Sequence, residues 1–222
     1  MECVRLLMRN LNRVTQSLFV ILVVSAVTSG VCRAQHKGEP GKFDFYLMNL
    51  SWAPEFCSVP GASAECRTPP KGFILHGLWA QNNDGSYPVF CSERPGPAHP
   101  EANLDMTPDL ELLKHEWAKH GTCTTLSPEA FFAQEREAYT AFKVPQSLLR
   151  LDHETQMKPQ EIVDLFGKIN PGFPPGSILL SCGNNRLTAI EACLDKDLKP
   201  VVCKGLRTCH ANVVKITPPV GH

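Results

Sequence analysis

What this sequence lacks narrows its function before any motif is read. It has no excess of positive charge, since 22 Lys and Arg stand against 22 Asp and Glu. A protein that grips nucleic acid through a basic face needs a cluster of cations to displace the counterions of many phosphates. Any nucleic-acid substrate would therefore be held locally here, by stacking and a few charges. The cysteines include no C-x2-C pair, which disfavours a thiolate zinc site. No internal repeat, low-complexity tract or long charge run is present. Nor is there an apolar stretch of the roughly 20 residues that a spanning helix needs. The run SLFVILVVSAV covers only residues 17–27, and nothing after it is comparable.

That run has another reading. Arg5, Arg9 and Arg13 make a basic start before it, and Cys32-Arg33-Ala34 offers a small-residue cleavage site before Gln35. Basic start, apolar centre and small-residue end are the parts of a secretory leader. We expect a signal peptide over 1–34, removed in the mature protein, with an uncleaved anchor as the alternative. Residues 35–222 are then expected to form a single domain, long enough to bury a sizeable core. Removing the leader takes away four Arg and one Glu, leaving 18 basic and 21 acidic residues. It also takes Cys3 and Cys32. The eight cysteines left are Cys57, Cys66, Cys91, Cys123, Cys182, Cys193, Cys203 and Cys209. An even number behind a leader predicts an oxidising destination and up to four disulfides, whose pairing the count alone does not fix. Export to the periplasm or the outside medium fits both features.

Local patterns predict an α+β fold. QHKGEPGK (35–42) reads as a flexible mature N-terminus. FDFYLMNLSW (43–52) and GFILHGLW (72–79) are apolar and bounded by turn residues, as buried strands are. Residues 91–107, rich in Pro, read as a loop. Thr107-Pro108-Asp109 offers an N-cap, a first-turn Pro and a first-turn acid for a helix running to about His120, with Gly121 as its stop. Ser127-Pro128-Glu129 starts a second helix reaching about Phe142, and a third begins near Pro159. SILLSC (177–182), RLTAIEACLD (186–195), KPVVC (199–203) and NVVKI (212–216) read as strands. Without a regular βαβ alternation, the expectation is a central antiparallel sheet flanked by helices and braced by disulfides.

The chemistry concentrates in HEWAKHGTC (115–123). It resembles the zinc-protease helix, which needs two histidines four residues apart on one face. Here His115 and His120 are five apart, about 140° around a helix that turns about 100° per residue. The pairs that share a face are Glu116 with His120, and His115 with Lys119. A carboxylate beside an imidazole and an ammonium beside an imidazole make an acid–base site for an anion, not a metal cage. A further histidine, His76, lies inside the apolar run FILHGLW, where a satisfied core histidine is the ordinary alternative. In a regular pleat Trp79 would face away from His76. A bulge at Gly77 would be needed to bring the two together.

HGLW and HEWAKHGTC resemble the two active-site segments of the ribonuclease T2 family, in a form closest to its bacterial members. FYLMNLSWAPEFC and LTAIEACLDKDLKPVVC resemble its first core strand and C-terminal strands, so the likeness runs over about 43–209. One departure is Ala80, where the family commonly has Pro. The resemblance implies a disulfide-bonded endoribonuclease that needs no metal or other cofactor. The 2′-OH of single-stranded RNA attacks the adjacent phosphorus, giving a 2′,3′-cyclic phosphate and then a 3′-phosphate. It further implies His120 as base, His76 as acid, Lys119 and Glu116 as stabilisers of the phosphorane, and His115 as a phosphate contact. Lys119 is the clearest physical fit. Glu116 must be protonated or orient His120, since a bare carboxylate repels phosphate. Trp79 and Tyr87 are candidates to sandwich a nucleobase. Gln81 stands where some fungal members carry an acid. Broad base tolerance follows from stacking. Trp52 and Trp117 are assigned to the core. The implied disulfides are Cys57–Cys66, Cys91–Cys123, Cys182–Cys209 and Cys193–Cys203. The sequon Asn49-Leu50-Ser51 is discounted because it falls in a strand. The expected partner is RNA alone. DNA has no 2′-OH to react, no membrane is involved, and the protein acts as a monomer. Two other functions compete: a zinc-dependent hydrolase using His115, Glu116 and His120, and an inert secreted RNA-binding module.

Overall fold

The computed structural model describes residues 38–59, 64–67, 70 and 72–219. The leader expected over 1–34 lies outside them. In chain order the elements are β1 (Phe45–Trp52), a one-turn helix α1 (Ala53–Phe56), β2 (Phe73–Gln81), α2 (Leu110–Lys119), α3 (Pro128–Ala141), α4 (Gln146–Leu149), β3 (Thr155–Met157), α5 (Pro159–Ile169), β4 (Ile178–Gly183), β5 (Arg186–Leu194) and β6 (Val214–Ile216). The sheet order is β2-β1-β5-β6-β3, and β4 also pairs with β5. Every pairing is antiparallel except the single β5–β6 pair at Arg186 and Lys215. The expected α+β class with a mainly antiparallel sheet is therefore the one found.

Side chains alternate along β1, and both of its faces are covered. Tyr46, Met48, Leu50 and Trp52 join Leu75, Leu78, Leu180, Ile190 and Ala192 in the main core, which Ile162 and Phe166 of α5 close. Each Leu, Ile, Met or Phe among them contributes about 1.5–3 kcal/mol by leaving water. Trp52 is fully buried and donates its Nε1–H to the Thr217 carbonyl at 2.9 Å, so its truncation would cost about 3–5 kcal/mol. The opposite face holds Phe45, Leu47, Leu179 and Cys193, with Trp79 packed on them. Continuing along that face, β1 turns polar at Asn49 and Ser51. A third cluster, Leu113, Trp117, Phe131 and Phe132, joins α2 to α3. The disulfides are Cys57–Cys66, Cys91–Cys123, Cys182–Cys209 and Cys193–Cys203. Among the described residues no helix is long and apolar enough to cross a membrane.

Several local expectations need correction. The N-cap of α2 is Asp109, not Thr107: its carboxylate accepts from the Glu111 and Leu112 N–H groups, while Thr107 is buried and donates to the Leu75 carbonyl. Gly121 is not a left-handed stop. The chain runs on into a 3-10 turn (Gly121–Cys123), and a Cβ at Gly121 would strike Trp117, so the residue is small for packing. KPVVC (199–203) forms no strand beyond one bridge between Pro200 and Leu194. The Cys193–Cys203 disulfide folds it back, with Val201 N–H on the Cys193 carbonyl. The described part of the expected flexible N-terminus is tied down, with Gly41 N–H on the Cys123 carbonyl at 2.8 Å. Helices α1 and α4 and strand β3 are too short to leave a periodic signal.

Candidate active site

The site begins with a bulge in β2. Asn49 pairs with Gly77, but Leu50 pairs with Leu75, so His76 is an extra residue without a β1 partner. An extra residue switches which face the following side chains occupy. Before the bulge Phe73 and Leu75 point into the core; after it Leu78 and Ala80 do. His76 and Trp79 therefore emerge on the same face, with ring centroids 5.4 Å apart, edge to face. The bulge falls at His76, one residue before the position expected. His76 Nδ1 lies 3.1 Å from Ser51 Oγ, which comes from the polar end of the same face. Asn49 of the sequon is buried and donates to Glu191 at 3.0 Å, leaving no free amide for a glycan.

Helix α2 crosses this face and lowers its last turn onto it. Glu116 and His120 are both buried. The Glu116 carboxyl accepts from Trp79 Nε1–H at 2.6 Å, and its other oxygen lies 3.5 Å from His76 Nε2. Gly77 makes this approach possible, because a Cβ there would fall inside contact distance of the Glu116 carboxyl. His120 stacks on Trp79 with centroids 5.2 Å apart and planes 24° apart. Both its ring nitrogens are buried and have no hydrogen-bond partner among the described residues. Leaving a buried polar group unmet costs about 1–3 kcal/mol, which a bound ligand could recover. Lys119 is half-buried beside His120. His115 is exposed, its ring 6.3 Å from that of Phe90. Among the described residues no group of three His, Cys, Asp or Glu side chains is placed to hold a metal.

The electrostatics follow from burial in a small space. Burial, reinforced by His115 and Lys119, pulls His76 down to about 4. Burial, then Lys119, His115 and His76, pulls His120 down to about 3. Both imidazoles are neutral at neutral pH in the free protein. Burial pushes Glu116 up to about 7 against the opposing pull of the Trp79 hydrogen bond and Lys119. Its hydrogen bond goes to Trp79 and none to His120. Of the two roles open to Glu116, the geometry and the raised value favour the protonated acid. Partial desolvation and Lys119 also lower His115.

Two cavities flank Trp79. One of about 300 Å³ is lined by Trp79, Gln81, Tyr87, Lys119 and His120, together with Glu191 and Arg207. It brings the three base-binding candidates to Lys119 and His120, with Tyr87 exposed and Gln81 buried, while His76 lines the other cavity. The other, about 610 Å³, opens on the His76 side and is lined by Ser51, Phe56, Val59 and Thr188 among others. Sequence reasoning missed three polar residues here. Ser51 holds His76. Glu191 lies in the smaller cavity, the lone acid of β5 and set within its apolar stretch from Ala189 to Leu194, which is a readable signal. Glu135 of α3 is buried and accepts the Leu78 N–H at 3.0 Å, satisfying the outer edge of β2. Burial and the neighbouring Glu116 hold it well above the usual carboxylate range.

Comparison with known proteins agrees with this fold. The model of the Ribonuclease T2 family matches residues 43–209. A ribonuclease of Aeromonas hydrophila is 46% identical over 98 residues, which are 44% of this chain and 45% of that protein, so the match spans under half of its length. Ribonuclease DdI of Dictyostelium discoideum is 28% identical over 207 residues, covering 83% of this chain and 88% of that protein. Among solved structures, trichomaglin, described as a novel S-like ribonuclease, superposes with a TM-score of 0.66 at 19% identity, over 82% of this chain and 100% of that one. At that identity the likeness is one of fold.

Proposed function

The chain belongs to the ribonuclease T2 family as an endoribonuclease of that type, and from that premise we propose that it cleaves single-stranded RNA by transesterification without a metal ion. The observation that carries this reading is a pair of imidazoles on either side of Trp79, His76 half-buried and His120 buried, with both His120 nitrogens left without a partner among the described residues. His120 takes the proton of the ribose 2′-OH as that oxygen attacks the adjacent phosphorus. His76 gives a proton to the departing 5′-oxygen. The products are a 2′,3′-cyclic phosphate and a free 5′-OH. Water then opens the ring to a 3′-phosphate with the two histidines exchanging roles. Lys119 offsets charge gathering on the phosphoryl oxygens, and His115 contacts the phosphate. Glu116, held as the neutral acid, adds no repulsion and can donate to the phosphorane.

Arrival of the phosphate anion offsets the positive charges that depress His76, so the acid becomes easier to load once RNA is bound. Stacking on Trp79 and Tyr87 accepts any of the four bases. DNA, lacking the 2′-OH, is not cut. Four disulfides suit an oxidising compartment, and with a leader over 1–34 we place the mature domain, 35–222, in the periplasm or outside the cell as a monomer. His120→Ala and His76→Ala should each lower the cleavage rate by roughly 10²–10⁴-fold, while EDTA leaves the wild type unchanged. Inhibition by EDTA that zinc restores would overturn the proposal in favour of the zinc hydrolase. Wild-type binding of RNA without turnover would favour the inert module.

A further inference from the structure

Glu191 occupies the cavity beside His120 and takes no part in the steps above. Its place is set by strand register: it stands opposite Asn49 on one side and Leu179 on the other, and Asn49 in turn faces Gly77. Gly77 has no side chain, so the polar floor of this row is Asn49 and Glu191. One carboxylate oxygen of Glu191 accepts from Asn49 Nδ2 at 3.0 Å and from Ser181 Oγ at 2.9 Å. Those two donors fix the plane of the carboxylate through a single oxygen. The residue lines the same cavity as Trp79, Tyr87, Gln81 and Arg207. Burial raises Glu191 above the usual carboxylate range against the pull of Ser181 and Asn49, and a base that supplies further donors favours its ionised form.

We propose that Glu191 makes this pocket prefer guanine in the nucleoside that supplies the 2′-OH. The inference rests on the ribonuclease reading of the same site. Guanine is the base that presents two adjacent donors, N1–H and the N2 amino group, which can converge on the Glu191 oxygen that Asn49 and Ser181 do not use. Adenine and cytosine each set an amino group beside a ring nitrogen whose lone pair would face the carboxylate. Uracil sets a single N3–H between two carbonyls. The guanine O6 acceptor is then met by a donor from Gln81 or Arg207, both in the same cavity. Stacking still admits the other bases, so guanine ranks first within a broad tolerance.

The test compares GpU, ApU, CpU and UpU, in which only the base on the attacking nucleoside changes. The wild type should cleave GpU with a kcat/KM about 10-fold above the rest, the size of one good paired contact. Glu191→Gln keeps the shape and an oxygen for Asn49 and Ser181 but sets an amino group against the guanine donors. It should lower GpU cleavage about 10-fold and leave UpU within about 3-fold. A wild type that does not favour GpU overturns the proposal, as does a variant with the native ranking or an equal loss on all four substrates. Calorimetry on the wild type gives an answer that needs no variant: 3′-GMP must bind more tightly than 3′-UMP, and equal affinities overturn the assignment. Failure to cleave any of the four would instead contradict the ribonuclease reading itself.

Discussion

Substituting Gly77 by Ala adds one methyl group at the point where β2 meets α2. The backbone there has no positive φ, so the change brings no conformational strain and acts through space alone. The added Cβ would stand 2.6 Å from Trp79 Nε1 and 2.9 Å from Glu116 Cδ, with the carboxyl oxygen closer still. Neither partner can swing into solvent, because Glu116 is buried and Trp79 is wedged between His76 and His120. Losing the Trp79–Glu116 hydrogen bond costs about 0.5–1.5 kcal/mol, the range for a neutral acceptor, and overpacking a filled site costs about 1–3 kcal/mol. A combined loss of about 2–4 kcal/mol is a large share of the ~5–15 kcal/mol available to a domain. It should lower the melting temperature by about 10 °C. Displacing Glu116 and Trp79 by ~1 Å should also cut kcat about 100-fold. Thermal melting by circular dichroism and UpU turnover measured well below the melting point separate the two effects. A Gly77→Ala protein with native stability and native kcat would refute the close approach on which the site is built.

Further predictions follow from the same geometry. The pH profile of kcat/KM on UpU should peak on the acid side: His120 must be unprotonated, above about 3, His76 protonated, below about 4, and Glu116 neutral, below about 7. Activity should fall as pH climbs through these upper values, and a maximum at or above pH 7 would contradict the assignment. Glu116 has a raised folded value, so the folded state holds its proton between the ordinary 4.5 and about 7. Its stabilising contribution is full below 4.5 and is lost as pH rises through about 7. Denaturant titrations of Glu116→Gln should therefore lose part of the wild-type fall in stability across that window; an unchanged slope would count against the shift. Replacing both Cys91 and Cys123 by Ser opens a loop with a sequence separation of 32 and should cost about 3–4 kcal/mol. Because that bridge ties the loop after β2 to the end of α2, kcat should fall as well, and native melting behaviour in the double variant would contradict its role as a brace.

The fold was legible wherever the signal is local. The Pro and Ser starts of α3 and α5, the turn-bounded apolar runs of β1 and β2, and the paired motif segments all stand in the chain itself. What was not legible depends on a partner. Strand β2 needs a bulge to put His76 and Trp79 on one face, but whether it falls at His76 or Gly77 is fixed by how β1 pairs with it. Asp109 caps α2 because Thr107 is drawn away to the Leu75 carbonyl, a contact 32 residues distant. Glu135 lies in AQEREAY, which reads as a solvated helix face. Its burial comes from the unpaired edge of β2, whose Leu78 N–H needs an acceptor. KPVVC has a strand's composition, yet a disulfide to the neighbouring strand leaves it no room to pair along its length. In the site, residue types and helical spacing indicated acid–base chemistry on an anion. The raised value of Glu116 and the unpartnered nitrogens of His120 arise only once Trp79 and α2 enclose them.

The central claim is that His76 and His120 move protons around a phosphorus attacked by the substrate's own 2′-OH. The most direct measurement is phosphorus NMR of UpU incubated with the purified protein in EDTA. A transient 2′,3′-cyclic phosphate signal should decay to uridine 3′-phosphate, with uridine released in the first step and both species forming roughly 10²–10⁴-fold more slowly with His120→Ala. Uridine 5′-phosphate as the first product, or loss of all cleavage in EDTA, would contradict it.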